Sequence, residues 1–177
     1  MSSPYLTGHH APNRFEADAP DLVVRGEPPA DLAGVFHRNG AEPLYPPVDE
    51  PYHWFDGDGM VYAFFLENGK VSMRNRWVRT EKLKRELAAG RSLFGVFGNP
   101  ATTDPSAAGT RSNTANTNIV LRGGRLLALM EGAPPVELDP AASTRSARST
   151  SAASPPPRSR RTRRSTTPPA RWSTSAT

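Results

Sequence analysis

Four histidines, His9, His10, His37 and His53, are the only imidazoles in the chain, and cysteine is absent. Thiolate metal sites and disulfides are therefore excluded, which leaves imidazole and carboxylate as the side chains able to hold a metal. The densest chemistry lies in His53-Trp54-Phe55-Asp56-Gly57-Asp58-Gly59-Met60. Carboxylates at alternate positions among glycines suggest a calcium loop, but the third ligand position of such a loop is missing. The block's glycines suit a tight turn, and its carboxylates can accept hydrogen bonds from backbone amides or arginines. The histidines are scattered: His9 and His10 in an N-terminal arm, His37 alternating with Phe36, His53 inside the block. No metal site is expected from these four, and no residue is assigned a catalytic or cofactor-binding role. Glu131 has the chemistry to orient a ligand histidine, yet no histidine lies beside it. Arg38, Arg74, Arg76 and Arg79 have carboxylates near them in sequence and are expected to be solvated or paired, contributing little.

The elements that must position these residues are mostly short strands. Residues 1–32 form an irregular arm with one strand at Leu22-Val23-Val24. Gly34 to Arg38 is a second strand, stopped by an Asn39-Gly40 turn. The clearest element is a hairpin over 60–78 about Asn68-Gly69, a pair suited to the positive φ angles of a type I′ turn. A two-residue loop there sets Leu66 opposite Val71, Phe64 opposite Met73 and Met60 opposite Trp77, all on one face. The other face of the second strand, with Ser72, Arg74 and Arg76, is expected to be wet. A short helix follows, with Thr80 as its cap, Glu81 at the positive end of its dipole, Gly90 as its stop and a Leu83–Leu87 stripe. Residues 91–116 read as loop. A second hairpin runs from Asn118 to Met130 about Gly123-Gly124, pairing Leu121 with Leu126 and Val120 with Leu127, and Val136 to Leu138 is a third strand beside it. Propeller blades recur at about 40–50 residues, which is compatible with the distance between the two hairpins.

Charge divides the chain in two. Residues 141–177 hold eight arginines and no acid, so removing them from the net +5 leaves residues 1–140 at about −3. The basic balance belongs to the tail, and the folding part is not a nucleic-acid binder by composition. The absence of cysteine fits a reducing compartment. The start of the chain has neither the basic nor the apolar segment of a secretion signal, and the apolar run from Leu126 to Met130 is too short to span a bilayer. A soluble, cytoplasmic protein is expected.

Four segments together carry a resemblance. Phe36-His37-Arg38-Asn39-Gly40 precedes the His53–Met60 block. Arg74-Asn75-Arg76-Trp77-Val78-Arg79-Thr80-Glu81 follows, and then Asn113-Thr114-Ala115-Asn116-Thr117-Asn118, leading into Leu126 to Glu131 and Glu137-Leu138. In this order they resemble the N-terminal third of the carotenoid cleavage oxygenases, the family that includes the lignostilbene dioxygenases, over roughly residues 15–140. His37 and Ala41 depart from it, standing where the family usually has an apolar residue and a proline. The resemblance implies an all-β fold, the N-terminal fragment of a seven-bladed β-propeller with one short helix. It also implies an iron(II) held by four histidines from different blades, and cleavage of a C=C bond of a carotenoid or stilbene by O₂. Membrane contact is left open by these residues. None of the family's iron-ligand motifs occurs here, so this chain is expected to bind no iron and to be inactive.

Residues 141–177 look like a second unit, a disordered low-complexity tail encoded out of frame. Ser159 to Thr166 can be encoded so that reading one nucleotide earlier gives Phe-Thr-Ala-His-Pro-Lys-Val-Asp, the family's segment around its first iron histidine. Ala170 to Ala176 similarly yields Gly-Glu-Met-Val-Asp-Phe-Gly. The alternative is a non-catalytic β protein whose polycationic tail binds nucleic acid or another polyanion nonspecifically. Without the remaining blades, Met60, Phe64 and Leu66 are expected to face water and the open strand edges to promote aggregation.

Overall fold

Asn68 and Gly69 both take positive φ, 53° and 72°, and the chain reverses there in a two-residue turn. In the computed structural model, which describes residues 3–139, this hairpin joins β3 (Asp58–Glu67) to β4 (Lys70–Trp77). Its register pairs Met60 with Trp77, Phe64 with Met73 and Leu66 with Val71, as the turn length requires. The second hairpin, β5 (Asn118–Arg122) with β6 (Arg125–Met130), likewise sets Leu121 against Leu126 and Val120 against Leu127. A third strand, β7 (Ala133–Leu138), pairs with β6.

The N-terminal part differs from the sequence expectation. The first short strand, β1, is Ala17–Ala19 rather than Leu22 to Val24, and Val23 is almost fully exposed. β4 offers Asn75 and its arginines as polar partners to Ala17 and Asp18, and these outweigh the apolar character of the later segment. Asn39-Gly40 is no turn either: β2 (Gly34–Glu42) runs through it, with Asn39 paired to Val61 and Gly40 to Met60. A long partner strand supplies ladder bonds along the whole segment, and this overrides the local turn preference.

The result is two antiparallel sheets, ordered β1-β4-β3-β2 and β5-β6-β7. They meet through Val61 and Val78 on one side and Ala115 and Ala128 on the other, with Ile119, Val136 and Leu138 packed around them. The β3 face carrying Val61, Ala63 and Phe65 is therefore buried, although the alternate face was expected to be the apolar one. The same side of β4 is not wet: Arg74 has a side chain only 13 % exposed and is paired with Asp18. On the opposite face Met60 is fully buried against Trp77, Leu83, Leu44 and Tyr62, so it does not face water; Phe64 and Leu66 are half-buried.

Helix α1 (Glu81–Ala89) is capped by the Thr80 hydroxyl, which accepts from the Leu83 amide at 3.1 Å, and it stops at Gly90. Leu83 is fully buried, whereas Leu87 is 40 % exposed. The buried stripe is completed by Lys82 and Glu86, two charged residues one turn apart. The long loop after the helix folds back on itself around Leu93, Phe94 and Ala107. The tail assigned to residues 141–177 lies outside the described residues.

Candidate functional site

The block at 53–60 makes a single helical turn, Trp54–Asp56, and enters β3. Asp56 Oδ2 accepts from the His53 amide at 3.0 Å, and His53 Nδ1 accepts from the Phe55 amide at 3.1 Å, a reciprocal cap. Asp56 Oδ1 reaches further and accepts from the Phe97 amide at 2.6 Å. Burial pushes the Asp56 carboxyl up, against the lowering effect of these backbone donors.

The two glycines serve close approach rather than the turn conformation. Gly57 has φ −62°, open to any residue, but a β-carbon there would lie 2.7 Å from the Ala41 carbonyl carbon. One at Gly59 would run into the Ala115 carbonyl. The Gly59 amide donates to the Thr114 carbonyl at 2.7 Å, and Asn116 Nδ2 donates to the carbonyls of Gly57 and Phe55 at 2.6 and 3.0 Å. Asn39 Nδ2 donates to the carbonyls of Ala115 and Asn118 at 2.8 and 3.1 Å. Motif segments separated by more than fifty residues thus converge on one junction between the sheets.

Asp58, at the start of β3, is 3 % exposed and sits in a buried ionic triad. Lys82 Nζ lies 2.8 Å from Asp58 Oδ1 and 2.7 Å from Glu86 Oε2, and Glu86 Oε1 accepts from the Leu93 amide at 2.9 Å. The partner of Asp58 is therefore a lysine on α1, not an arginine. Burial raises the Asp58 carboxyl, with the Lys82 charge opposing it. Burial alone would lower Lys82, but Asp58 and Glu86 outweigh it and hold the ammonium above its ordinary range. Lys82 and Glu86 had no role assigned from the sequence; a Lys–Glu pair four residues apart reads there as an exposed helix pair.

The histidines do not assemble. His10 packs edge-on against Trp54 with ring centres 5.2 Å apart, and His53 lies 5.3 Å from Tyr5 and 4.3 Å from Phe55. His9 is exposed. His37 is on β2 with Nε2 buried and without a hydrogen-bond partner, and burial lowers its basicity. Glu131 Oε2 accepts from the Thr117 hydroxyl at 3.0 Å and orients no imidazole. Among the described residues no group of three or more histidines and carboxylates is placed to hold a metal ion. The iron implied by the resemblance does not fit the residues present: Nδ1 of His53 is used by a backbone amide and His37 stands by itself. At the junction Tyr52, Asp56, Asp58, Lys82 and Glu86 line a small pocket, where the charges are spent on one another and on backbone amides. Also among the described residues, no helix is long and apolar enough to cross a membrane.

Two stacked antiparallel sheets, stapled by a glycine–carboxylate block, make this a mostly-β chain with one helix. A family model described as "RPE65: Retinal pigment epithelial membrane protein" matches residues 10–146, and the chain belongs to that family, the carotenoid cleavage oxygenases. It is 44 % identical over 135 residues to lignostilbene-alpha,beta-dioxygenase isozyme III of Sphingomonas paucimobilis, covering 76 % of this chain and 28 % of that protein. It is likewise 44 % identical over 140 residues to isoeugenol monooxygenase of Pseudomonas nitroreducens, covering 78 % and 29 %. Among solved structures it superposes on the Pseudomonas brassicacearum lignostilbene dioxygenase with a TM-score of 0.73 at 42 % identity, covering 77 % of this chain and 28 % of the other. A Synechocystis apocarotenoid oxygenase variant gives 0.63 at 37 % identity, covering 75 % and 29 %. The chain spans a little over a quarter of the length of these relatives.

Proposed function

We propose that residues 1–140 are the arm and first blades of a seven-bladed propeller belonging to an iron(II)-dependent dioxygenase that splits a C=C bond with O₂. The junction carries this reading: the family-like segments 36–40, 53–60, 74–81 and 113–118 meet in space through Gly57, Gly59, Asn39 and Asn116. A stilbene or a carotenoid-type polyene is the substrate class, because relatives at 44–46 % identity include lignostilbene, resveratrol and carotenoid cleavage enzymes. The oxygenase in this proposal works in the cytoplasm, which cell fractionation would check.

Within the proposal, residues 141–177 are an out-of-frame reading, and the 177 residues by themselves hold no iron and do not turn over. Two decoded family segments, in the expected order, support the frame displacement. Sequencing genomic DNA across codons 139–160 tests it. A lost or gained base with an open family-like frame downstream is the expected result. A single clean frame through codon 177 with no related coding sequence after it would favour the non-catalytic β protein with a polyanion-binding tail. Anaerobic loading with iron(II) followed by desalting provides a second test: no stoichiometric iron should remain, and near-equimolar iron with nitrogen ligation would overturn the assignment.

A further inference from the structure

The outer edge of the first sheet is closed by residues that bury almost nothing apolar. Phe15 is 67 % exposed, and Ala17 and Ala19 are the only apolar members of β1. The arm is held instead by charge and by side-chain hydrogen bonds. Arg76 takes both oxygens of Asp18 at 3.0 and 2.8 Å, and Arg74 Nε reaches the same carboxylate at 2.5 Å. Arg79 takes both oxygens of Glu16 at 2.9 Å, while Glu16 Oε1 also accepts from the Trp77 amide at 2.8 Å. Asn75, 1 % exposed, accepts from the Ala17 amide at 2.7 Å and donates to the Phe15 carbonyl at 2.8 Å. Behind the arm, residues 20–33 contain no strand or helix. Single backbone bonds from Leu22 to Val71 and from Leu32 to Pro29 order that stretch, and Val23 stands in solvent.

A strand attached by burial stays attached in salt, whereas one attached by half-exposed ion pairs does not, because added ions shorten the range of each pair. The carboxylates of Asp18 and Glu16 are 48 % and 27 % exposed, within reach of counterions. We propose that residues 15–19 are a salt-releasable strap: they close the β4 edge when the Arg74–Arg76–Arg79 row is unscreened, and lift off as a loop between the anchor of Asn13 and Arg14 on Glu42, Tyr62 and Pro43 and the 20–33 linker when it is screened. Release uncovers the β4 edge and the buried Asn75 amide together, because the β1 residues pair along that edge and Phe15 and Ala17 hold the amide. The strap thus switches the sheet between a closed and an open outer edge without touching the β2–β3–β4 meander.

The chain has no cysteine, so engineered thiols report cleanly. Ala19 and Met73 are register partners across β1 and β4; Leu66 and Val71 are partners within the β3–β4 hairpin. Ala19→Cys/Met73→Cys and Leu66→Cys/Val71→Cys chains are oxidised in a glutathione buffer at about 0.05 M and about 1 M NaCl, between which the screening length falls to about 3 Å. The strap pair should close about tenfold more slowly in high salt while the hairpin pair keeps its rate. Adding Glu16→Gln and Asp18→Asn should slow the strap pair at low salt and remove its salt dependence. Equal strap rates at the two salts, a hairpin pair that slows in step, or disulfides formed between chains would each overturn the proposal.

Discussion

The two sheets share one antiparallel meander but differ in how they are secured. In the first, the β3 strand is covered on both faces, its neighbour β4 receives the arm, and the Asp58–Lys82–Glu86 triad pins its entry to α1 and to the 93–94 backbone. The second has three strands of five or six residues; Leu126 and Ala128 are its buried side chains, Leu121 is 73 % exposed, and among the described residues no further strand lies beside β5 or β7. The difference teaches that this segment concentrates its specific contacts around β3 and the junction, and leaves the second sheet to be supported from elsewhere. Substitutions in the two regions should therefore differ by far more than their residue types suggest.

The largest effect is expected at the triad. Lys82→Met leaves Asp58 and Glu86 buried without their shared cation, and should cost about 3–5 kcal/mol in denaturant unfolding. A loss below ~1 kcal/mol would mean that the triad does not pin the first sheet. Next comes Gly59→Ala, which forces a β-carbon against the Ala115 carbonyl and must part the sheets at the junction. Overpacking of this kind costs about 1–3 kcal/mol. Hydrogen exchange should rise in β5 and β6 more than in β3, because the second sheet has fewer other supports; uniform acceleration would contradict the contrast drawn here.

A smaller effect of opposite sign is expected at His37. Its Nε2 is buried without a partner, and burial holds its basicity below the ordinary histidine value. A base whose folded-state pKa is depressed binds protons more readily when unfolded, so it is least costly above the unfolded value of about 6.5. Stability should therefore fall as pH drops below that value, toward the lowered folded pKa. His37→Val removes the unpartnered nitrogen and should stabilise by about 1 kcal/mol near neutrality, and by more in mild acid. Thermal melts at two pH values check this: an unchanged pH dependence in the variant would show that other groups set it. The smallest effect should be at Leu121→Ser, an exposed site on the second sheet, within about 0.5 kcal/mol of the parent. A large loss there would show that the second sheet is packed as tightly as the first.

Local chemistry was the legible part. Asn68-Gly69 and Gly123-Gly124 admit one kind of two-residue reversal, and that reversal dictates which residues face each other across both hairpins. Thr80 and Gly90 mark the helix ends for the same local reason: cap geometry depends on a few adjacent atoms. The resemblance carried by 36–40, 53–60, 74–81 and 113–118 was legible too, and it named the family that the comparisons show.

Three-dimensional placement decided the rest. Asn39-Gly40 is a turn signal by itself, but opposite Val61 and Met60 it is strand, because the ladder supplies more bonds than a turn would. Gly57 and Gly59 are a turn signal in local sequence, and only the nearness of Ala41 and Ala115 shows that they make room for backbone. Lys82 and Glu86 have the spacing of an exposed helix pair. They become a buried triad because β3 brings Asp58 to the same point, and a partner 24 residues away leaves no trace in local pattern. The sequence by itself thus determined the two hairpin turns and their registers, the helix caps and the family. Which faces are buried, which charges are paired and why the glycines are needed depended on contacts between distant segments, whose energies exist only once the chain has brought them together.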